Sequence, residues 1–551
     1  MAQRMFGLET EYALSALGSF WETVEPTWLA PRFMEVARRS LPHLSSGLGP
    51  GIFLENGSRF YIDTGAHPEL ATPELVNPWD ACRYVLAGDE ILAGVADRLV
   101  QTQPGIAEIV LTRGNVCHGP AMPTSWGCHE SYGHEADPET MASELMPHLV
   151  SRLIYTGAGG FNNLSAGIEF MLSPRVAHLE QVMSEGSTHA RGICHCKHES
   201  LSRRGFSRLH ILCGESNCSH TAMWLKTAVT AIVVAMIEAG LEPCRAIRLC
   251  RPLVAMRRFA GDVEGKSRAC SLSGRWWTAL GMQRHILHQI ETHVDHPIMP
   301  SWAPEACDSL RVVLDRIEEG PAGVAKSLDW GIKLALYREF ARRRGIRWAS
   351  IPAWSKVIVR LDRALKQVNG ATRPQRLDAR VLCSGGPIAD EVQQLTPFLD
   401  QNDIKWSQFD EVLGFREELL ALETRFSQLS DRGIFNTMDS AGALEHQVPG
   451  VDRIADAVAH PPPVGRARLR GECVRQFHDK KSEYYCDWSC VWDFRHHRYL
   501  DLSEPFATEE KWRELSAEKA RGDDLLPSHL RVVREHLRHD QHESETQARG
   551  A

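Results

Sequence analysis

The sequence has no run of the roughly 18 uncharged apolar residues that a membrane-spanning helix needs. The closest stretch, AVTAIVVAMIEAGL from Ala228 to Leu241, is shorter, contains Glu238 and reads as a buried helix ending near Gly240. The first residues, MAQRMFGLETEY, lack the apolar segment and small-residue cleavage site of a secretory signal. A cytoplasmic location without membrane attachment is expected. There is no basic surplus either. The 62 Lys and Arg stand against 70 Asp and Glu, a formal net charge of -8, so nucleic acid is not an expected partner. The 15 cysteines are scattered and follow no secretory signal. That argues against a disulfide framework and for buried, reduced thiols. Internal repeats are missing. So are a G-x-G-x-x-G following a strand and a G-x-S-x-G elbow. The segment AGDVEGKS, Ala260 to Ser267, lacks the first glycine of a phosphate-binding loop and reads as a turn.

What is present is ordinary globular composition, 43% apolar and 24% charged, on a chain of 551 residues, too long for a single core. Strands are predicted over residues 1–15, over one or two segments of 51–72 broken at Asn56-Gly57, over 106–112 and over 208–213. Helices are predicted over 78–100, 141–155 and 219–239 and through most of 302–344. Strands followed by long helices without a strict βαβ period imply an α+β fold with an antiparallel sheet. Four units are expected. They are a large domain over 1–345, an irregular insertion over 346–412, a small C-terminal domain over 413–506, and a charged tail over 507–551 that forms a fraying surface helix.

Several segments carry candidate chemistry. In Gly7-Leu8-Glu9-Thr10-Glu11-Tyr12 the two glutamates fall two apart, hence on one strand face. Adjacent carboxylates repel unless a cation neutralises them, and hard oxygen ligands suit magnesium. The same pattern also fits the solvated face of an edge strand. Arg59, Tyr61 and Asp63 share one face of the next candidate strand, with Phe60 and Ile62 on the other. Glu69 and Glu74 follow, so one segment offers Asp63, Glu69 and Glu74 for metal or base roles and Arg59 for phosphate. SWGCHESY, Ser125 to Tyr132, contains His129; Arg208 and His210 share a face opposite Leu209 and Ile211. The run Cys194-His195-Cys196-Lys197-His198 packs possible zinc ligands together but lacks finger spacing.

Taken together and in order, GLETEY, NGSRFYIDTGAHPELATPE, SWGCHESY, RLHILCGESN, LDWGIKLALYREF, DRGIF and PPPVGRARLRGE resemble the Pup ligase and depupylase family over about residues 5–345 and 415–506. The resemblance implies a glutamine-synthetase-like (carboxylate–amine ligase) domain with a curved antiparallel sheet and packed helices, plus a small C-terminal domain. It implies ATP and Mg2+, a Pup-like modifier, lysine-bearing protein substrates and a functional link to a bacterial proteasome. A monomer is the expected state. By resemblance, Glu9, Tyr61 and Glu69 are magnesium ligands. Arg59, Thr72 and Trp488 contact the nucleotide, and Asp63 is the base that deprotonates the incoming lysine. Glu11, His129, Arg208 and His210 are further members of the site.

The ligase branch is favoured by the six-residue interval from Asp63 to Glu69, by the moderate stretch between Tyr12 and Asn56, and by the wording RARLRGE from Arg466 to Glu472. The alternatives are a depupylase or Pup deamidase, which hydrolyses with nucleotide as cofactor, and a non-catalytic Pup-binding scaffold. The chain departs from the family at CHCKHESLS, Cys194 to Ser202, and at Ser131, where the family normally has Asn.

Overall fold

A computed structural model of the chain describes residues 4–20, 22–47, 49–119, 123–195, 205–369, 388–445 and 453–514. Its N-terminal strands are β1 (Phe6–Glu11), β2 (Ala13–Gly18), β3 (His43–Ser46), β4 (Gly51–Leu54), β5 (Arg59–Asp63), β6 (His67–Ala71), β7 (Ile106–Thr112) and β8 (Cys128–His134). Six of these, in the order β8-β1-β6-β5-β4-β3, form the middle of one large sheet. On the β8 side the sheet continues through the strands Ser207–Ile211, Cys194–His195 and Met183–Ser184. On the β3 side it continues through Tyr484–Cys486, Cys490–Asp493, Arg498–Asp501 and Trp512–Glu514. Pairing is antiparallel except at two joints, Met183–Ser184 with Cys194–His195 and Tyr484–Cys486 with β3. β2 and β7 pair separately.

Period-two alternation gives this sheet two unlike faces. Phe6, Leu8, Tyr132, Leu209 and Ile211 join one apolar cluster with the helix His220–Glu238. Phe60, Ile62 and Leu70 pack with Leu29 and Phe33 of the helix Pro26–Ser40 and with Ile91, Leu92 and Val95 of the helix Pro78–Thr102. The helices start where capping residues stand. Asn77 accepts the Asp80 N–H at 2.8 Å, and Ser219 accepts the Ala222 N–H at 3.2 Å. The carboxylate of Asp329 accepts the Cys218 N–H at 2.7 Å, placing negative charge at the same helix N-terminus. The helix His220–Glu238 is long and apolar enough to cross a membrane, but 94% of it is buried inside the protein as its central core helix.

Beneath the helix-covered face lies a buried ion pair. Arg152 donates to Glu130 at 2.9 Å through one nitrogen and 2.5 Å through the other, and the Tyr132 hydroxyl donates to the same carboxylate at 2.9 Å. Glu130 therefore points away from its neighbour His129. Burial works against the Glu130 charge, and Arg152 outweighs it, holding the carboxyl below its ordinary value.

Three expectations need correction. Residues 346–412 are not irregular. Ile351–Asn369 and Ala389–Gln401 are helices, the first carrying the stripe Ile351, Trp354, Val357, Ile358, Leu361 and Leu365 into an apolar cluster with Tyr337, Phe409 and Phe415. These apolar residues recur at the three- and four-residue intervals of one helix face, a signal overshadowed by the turn dipeptides nearby. The Ser384-Gly385-Gly386-Pro387 turn lies outside the described residues. No domain boundary falls at 412/413, because the helix Phe409–Phe426 runs through it. The small C-terminal unit adds its strands to the same sheet, Tyr485 and Cys486 pairing in parallel with Ser45 and Ser46. Its helix Gly465–Phe477 packs Leu469, Cys473 and Val474 against Leu44 and Phe53. Finally, the start of the tail is a strand rather than a helix. Trp512 pairs with Leu500, and its ring lies 4.4 Å from the Arg498 guanidinium, so this short strand is the outermost of the sheet on that side. The remainder of the tail, from residue 515, is outside the described residues, as are Cys196, Lys197 and His198 of the zinc reading. Cys194 itself sits in the apolar core.

Candidate active site

Strand register alone collects the site. Residues directly opposite in a ladder point to the same face. Glu9 lies opposite His129 on β8 and Ala71 on β6, and Ala71 lies opposite Arg59 on β5. One row thus reads His129, Glu9, Ala71, Arg59. The next row reads Glu11, Glu69, Tyr61. Ser131 lies opposite His210, and Gly133 opposite Arg208. Eight predicted residues therefore share the face not covered by helices: Glu9, Glu11, Arg59, Tyr61, Glu69, His129, Arg208 and His210. Asp63 lies on the same face at the end of β5, opposite His67.

Two details of local sequence fix these side chains. Gly127, just before β8, donates its N–H to Glu11 Oε1 at 2.6 Å. A Cβ there would sit 2.5 Å from Glu11 Oε1 and 2.6 Å from His129 Nε2, so only glycine lets both groups approach the backbone. The turn between β5 and β6 places Gly65 (φ 84°) and Ala66 (φ 65°) in the left-handed region. The His67 ring beyond it stacks on Trp126, 4.6 Å between centroids, with Nδ1 3.0 Å from the Tyr12 carbonyl oxygen. The hairpin end that carries Asp63 is thereby pinned to the segment leading into β8.

The site divides into two electrostatic halves. Around Glu9 stand His129 Nδ1 at 3.4 Å, Arg208 at 3.9 Å and His210 Nε2 at 4.0 Å. Burial works against the Glu9 charge, but His210, His129 and Arg208 outweigh it and hold the carboxyl far below the usual carboxylate range. Burial pushes His210 down to about 3, against the pull of Glu9. Its Nδ1 lies 3.1 Å from the Ser131 hydroxyl oxygen. Around Glu69 the surroundings are acidic. Carboxylate oxygens of Glu11, Asp63 and Glu69 all lie within 4.8 Å of one another. Burial, then Glu9 and Glu11, push Glu69 well up, while burial and then Glu11 raise Asp63. Burial and the Glu69 and Glu9 charges push the Tyr61 phenol well up, Tyr61 lying directly opposite Glu69 in the ladder.

Both halves have capacity for a ligand. His129 Nε2 and Arg59 Nε are buried without a hydrogen-bond partner. The Arg59 guanidinium is held by ring faces, 4.5 Å from the Tyr61 centroid and 6.0 Å from that of Phe53, which orients it without engaging its donors. The Glu11, Asp63 and Glu69 set is all oxygen and suits a hard divalent cation such as Mg2+. The second cluster of possible metal ligands is Glu9, His129 and His210. The predicted set Glu9, Tyr61 and Glu69 is thus spread over both halves, with Tyr61 beside Glu69 and within electrostatic reach of Glu9.

A cavity of about 100 Å³ opens beside Glu9, lined by Ala71, Thr72, Phe206, Arg208 and Trp488. Thr72 and Trp488 therefore line one cavity, although they lie 416 positions apart in the chain. The Thr72 hydroxyl is already engaged, accepting the Leu8 N–H at 3.0 Å and donating to the Pro73 carbonyl at 3.0 Å. Trp488 packs edge-on against Phe53 at 5.1 Å, and Arg470 lies 4.8 Å from its ring. Glu74, a sequence candidate for metal or base work, does neither: it pairs with both Arg466, at 2.6 Å, and Arg470. Burial opposes its charge, and Arg470 and Arg466 outweigh that to hold the carboxyl at about 2. The i,i+4 spacing of Arg466 and Arg470 on one helix face was the available sign of a shared anionic partner. Gly127 and Phe206 were not anticipated, since nothing local marks a close approach across strands.

The family model described as Pup-ligase protein matches residues 4–369 and 395–492. The chain belongs to the Pup-ligase family. The internal stretch that the family match omits, 370–394, is narrower than the 346–412 insertion expected from sequence. Curated Pup-ligase relatives include the Pup–protein ligases of Kribbella flavida, 28% identical over 89% of this chain and 93% of the relative, and of Sanguibacter keddieii, 28% identical over 88% and 92%. Among solved structures, the complex between the prokaryotic ubiquitin-like protein Pup and its ligase PafA matches with a TM-score of 0.68 at 22% identity, covering 97% of this chain and 94% of that one. PafA in complex with ADP matches with a TM-score of 0.62 at 22% identity, covering 90% and 93%. These structural matches bear out the glutamine-synthetase-like α+β fold.

Proposed function

We propose that this Pup-ligase family member is an ATP-dependent isopeptide ligase. It joins the C-terminal glutamate side-chain carboxylate of a Pup-like modifier to substrate lysines through a γ-glutamyl phosphate, and so tags proteins for proteasomal degradation in the cytoplasm. Membership of the family and the name its curated relatives carry, Pup–protein ligase, support the reaction class. The observation that carries the chemistry is the division of one sheet face into a cation-rich half at Glu9 and an acid-rich half at Glu11, Asp63 and Glu69.

Phosphoryl transfer needs positive charge on the phosphoryl oxygens, and acyl transfer to lysine needs a base. Arg59 and Arg208 are the cations that bind phosphate oxygens, Arg59 in the strand row of Glu9 and Ala71 and Arg208 reaching to within 3.9 Å of Glu9. Phe206 and Trp488 border the cavity that takes the nucleobase of ATP. Glu69 and Glu11, with Glu9 and Tyr61 at their side, would hold Mg2+, which supplies charge neutralisation at the phosphates when bound. A lysine with its reference pKa of about 10.4 arrives as the unreactive ammonium. Asp63 is half-buried beside the exposed Thr64 and Gly65, where a lysine on a folded substrate can reach. Its raised pKa makes it a better proton acceptor than an ordinary aspartate, and it holds the ammonium and takes its proton as the amine attacks.

The test is conjugation with the full-length chain, ATP, Mg2+, a Pup-like peptide ending in glutamate, and a lysine-bearing acceptor. A conjugate formed with equal amounts of ADP is the expected outcome. Cleavage of a preformed conjugate without ATP turnover would instead assign the chain to the depupylases. Modifier binding with neither activity would make it a scaffold.

A further inference from the structure

We propose that Cys250 and Cys270 form a dithiol site, remote from the ligase face, that a hydroperoxide closes to a reversible disulfide. Leu249 and Ser271 form an antiparallel bridge. Around it the Cys250 N–H donates to the Cys270 carbonyl at 3.0 Å, and the Leu272 N–H donates to the Arg248 carbonyl at 2.8 Å. This pattern makes Leu249 and Ser271 the narrow pair of an antiparallel ladder and sets Cys250 directly opposite Cys270. Opposed residues of that kind have Cα atoms about 5.5 Å apart, inside the roughly 4.4–6.8 Å range of disulfides. Opposed side chains share a face, so the two thiols lie on the same side of the bridge, where the Cys270 Sγ donates to the Ser271 carbonyl at 3.4 Å.

The approach is built into the hairpin rather than left to two mobile loops. Arg268–Cys270 pairs with Trp276–Thr278, and the turn between them is closed by Ser271 N–H to Arg275 O and Gly274 N–H to Ser271 O, both at 2.8 Å. Cys250 is exposed and Cys270 half-buried, whereas each of the other described cysteines is buried or half-buried. Oxidation is site-selective for accessible thiols with a resolving partner in reach. Here the Cys250 sulfur meets the oxidant first. It attacks the O–O bond of the hydroperoxide, becomes the sulfenic acid and releases an alcohol, or water when the oxidant is hydrogen peroxide. The Cys270 thiol then attacks that sulfur, the S–S bond forms, the S–O bond breaks, and the hydroxyl leaves as water with the Cys270 proton. Two thiols and one peroxide give one disulfide, with two electrons passing from sulfur to oxygen. The bond would close a loop around the helix Pro252–Ala260. The bond would be exposed at Cys250, so a thiol reductant reaches and reverses it.

The experiment exposes the full-length protein to hydrogen peroxide, alkylates the remaining thiols, and maps them by peptide mass spectrometry. The expected result is a cross-linked peptide pair containing Cys250 and Cys270, a loss of two alkylatable thiols per chain, and their recovery with dithiothreitol. Cys250→Ser should leave Cys270 alkylatable, and Cys270→Ser should stop Cys250 at the sulfenic or sulfinic acid. Wild-type protein in which Cys250 over-oxidises without cross-linking, or in which the lost thiols map elsewhere, would overturn the proposal, and that reading needs no variant to fold.

Discussion

Glu9 and Glu11 stand two residues apart on one strand and point the same way, yet their surroundings are opposite. Glu9 faces two imidazoles and a guanidinium, and its carboxyl is held far below the ordinary range. Glu11 faces Asp63 and Glu69, and it is one reason why both of those carboxyls are raised. The difference lies in the strands each one meets. Beside Glu9 lie β8 and, beyond it, Ser207–Ile211, which bring histidine and arginine. Beside Glu11 lies Glu69 on β6, with the end of β5 bringing Asp63. One half is already neutralised by the protein; the other leaves its neutralisation to a cation or to protons.

The largest expected effect comes from removing the base. Asp63→Asn should lower the rate of conjugation by roughly 10²–10⁴-fold while ATP affinity, measured by calorimetry, stays within a few-fold. Lost ATP binding with normal residual turnover would give Asp63 a binding role instead. Next is a carboxylate outside the catalytic face that resembles Glu9 in its cationic surroundings. Glu74→Ala leaves Arg466 and Arg470 uncompensated and should cost about 3–5 kcal/mol in urea unfolding. A change below about 1 kcal/mol, the scale of an exposed pair, would mean that the β3 pairing and the apolar packing on Leu44 and Phe53 hold the C-terminal unit without the ion pair. In the acidic half, Glu69→Gln should raise the Mg2+ concentration giving half-maximal activity by about tenfold or more. An unchanged Mg2+ requirement would remove Glu69 from the ligand set.

Raised and lowered carboxyls differ in sign with pH. Asp63 and Glu69 have raised carboxyls, so the native state keeps protons that the unfolded chain has lost. Without a divalent cation, stability should therefore fall as pH rises above the ordinary carboxyl value of about 4. Added Mg2+ should flatten that fall, as thermal unfolding in EDTA and in Mg2+ would report. The contribution of Glu74 runs the other way. It is present above about pH 4.3 and lost as pH falls toward its folded value of about 2. The smallest effect is a shift. Glu11→Gln removes a negative charge beside Asp63, lowers the Asp63 pKa, and should move the acid limb of kcat/KM to lower pH at fixed Mg2+. A limb that stays in place would show that burial alone raises Asp63.

Much of the site was legible because strands report their faces locally. Alternation placed Glu9 with Glu11, Arg59 with Tyr61 and Asp63, and Arg208 with His210 before any pairing was known. It did not say that Glu9 would meet His129 while Glu11 met Glu69, since register is a property of two strands. Glu74 was misassigned for the same reason. Its partners Arg466 and Arg470 lie nearly 400 residues away on a helix whose own sequence names no target. The helices of 346–412 were missed although their apolar spacing was present, because turn dipeptides next to a helical stripe do not cancel it.

By itself, then, the sequence determined the alternating strands, the capped helices, the membership implied by its ordered motifs, and the residue types that the site displays. These follow from short-range sterics and from apolar periodicity, which act within a few residues. The tertiary structure alone decided the pairing register that separates a cationic from an acidic half. It also decided the joining of the C-terminal strands to β3 and the contact of Trp488 with a cavity floored by β1 and β6. Burial and charge–charge interaction depend on distances between segments far apart in the chain, and those distances exist only once the sheet has closed its ladders.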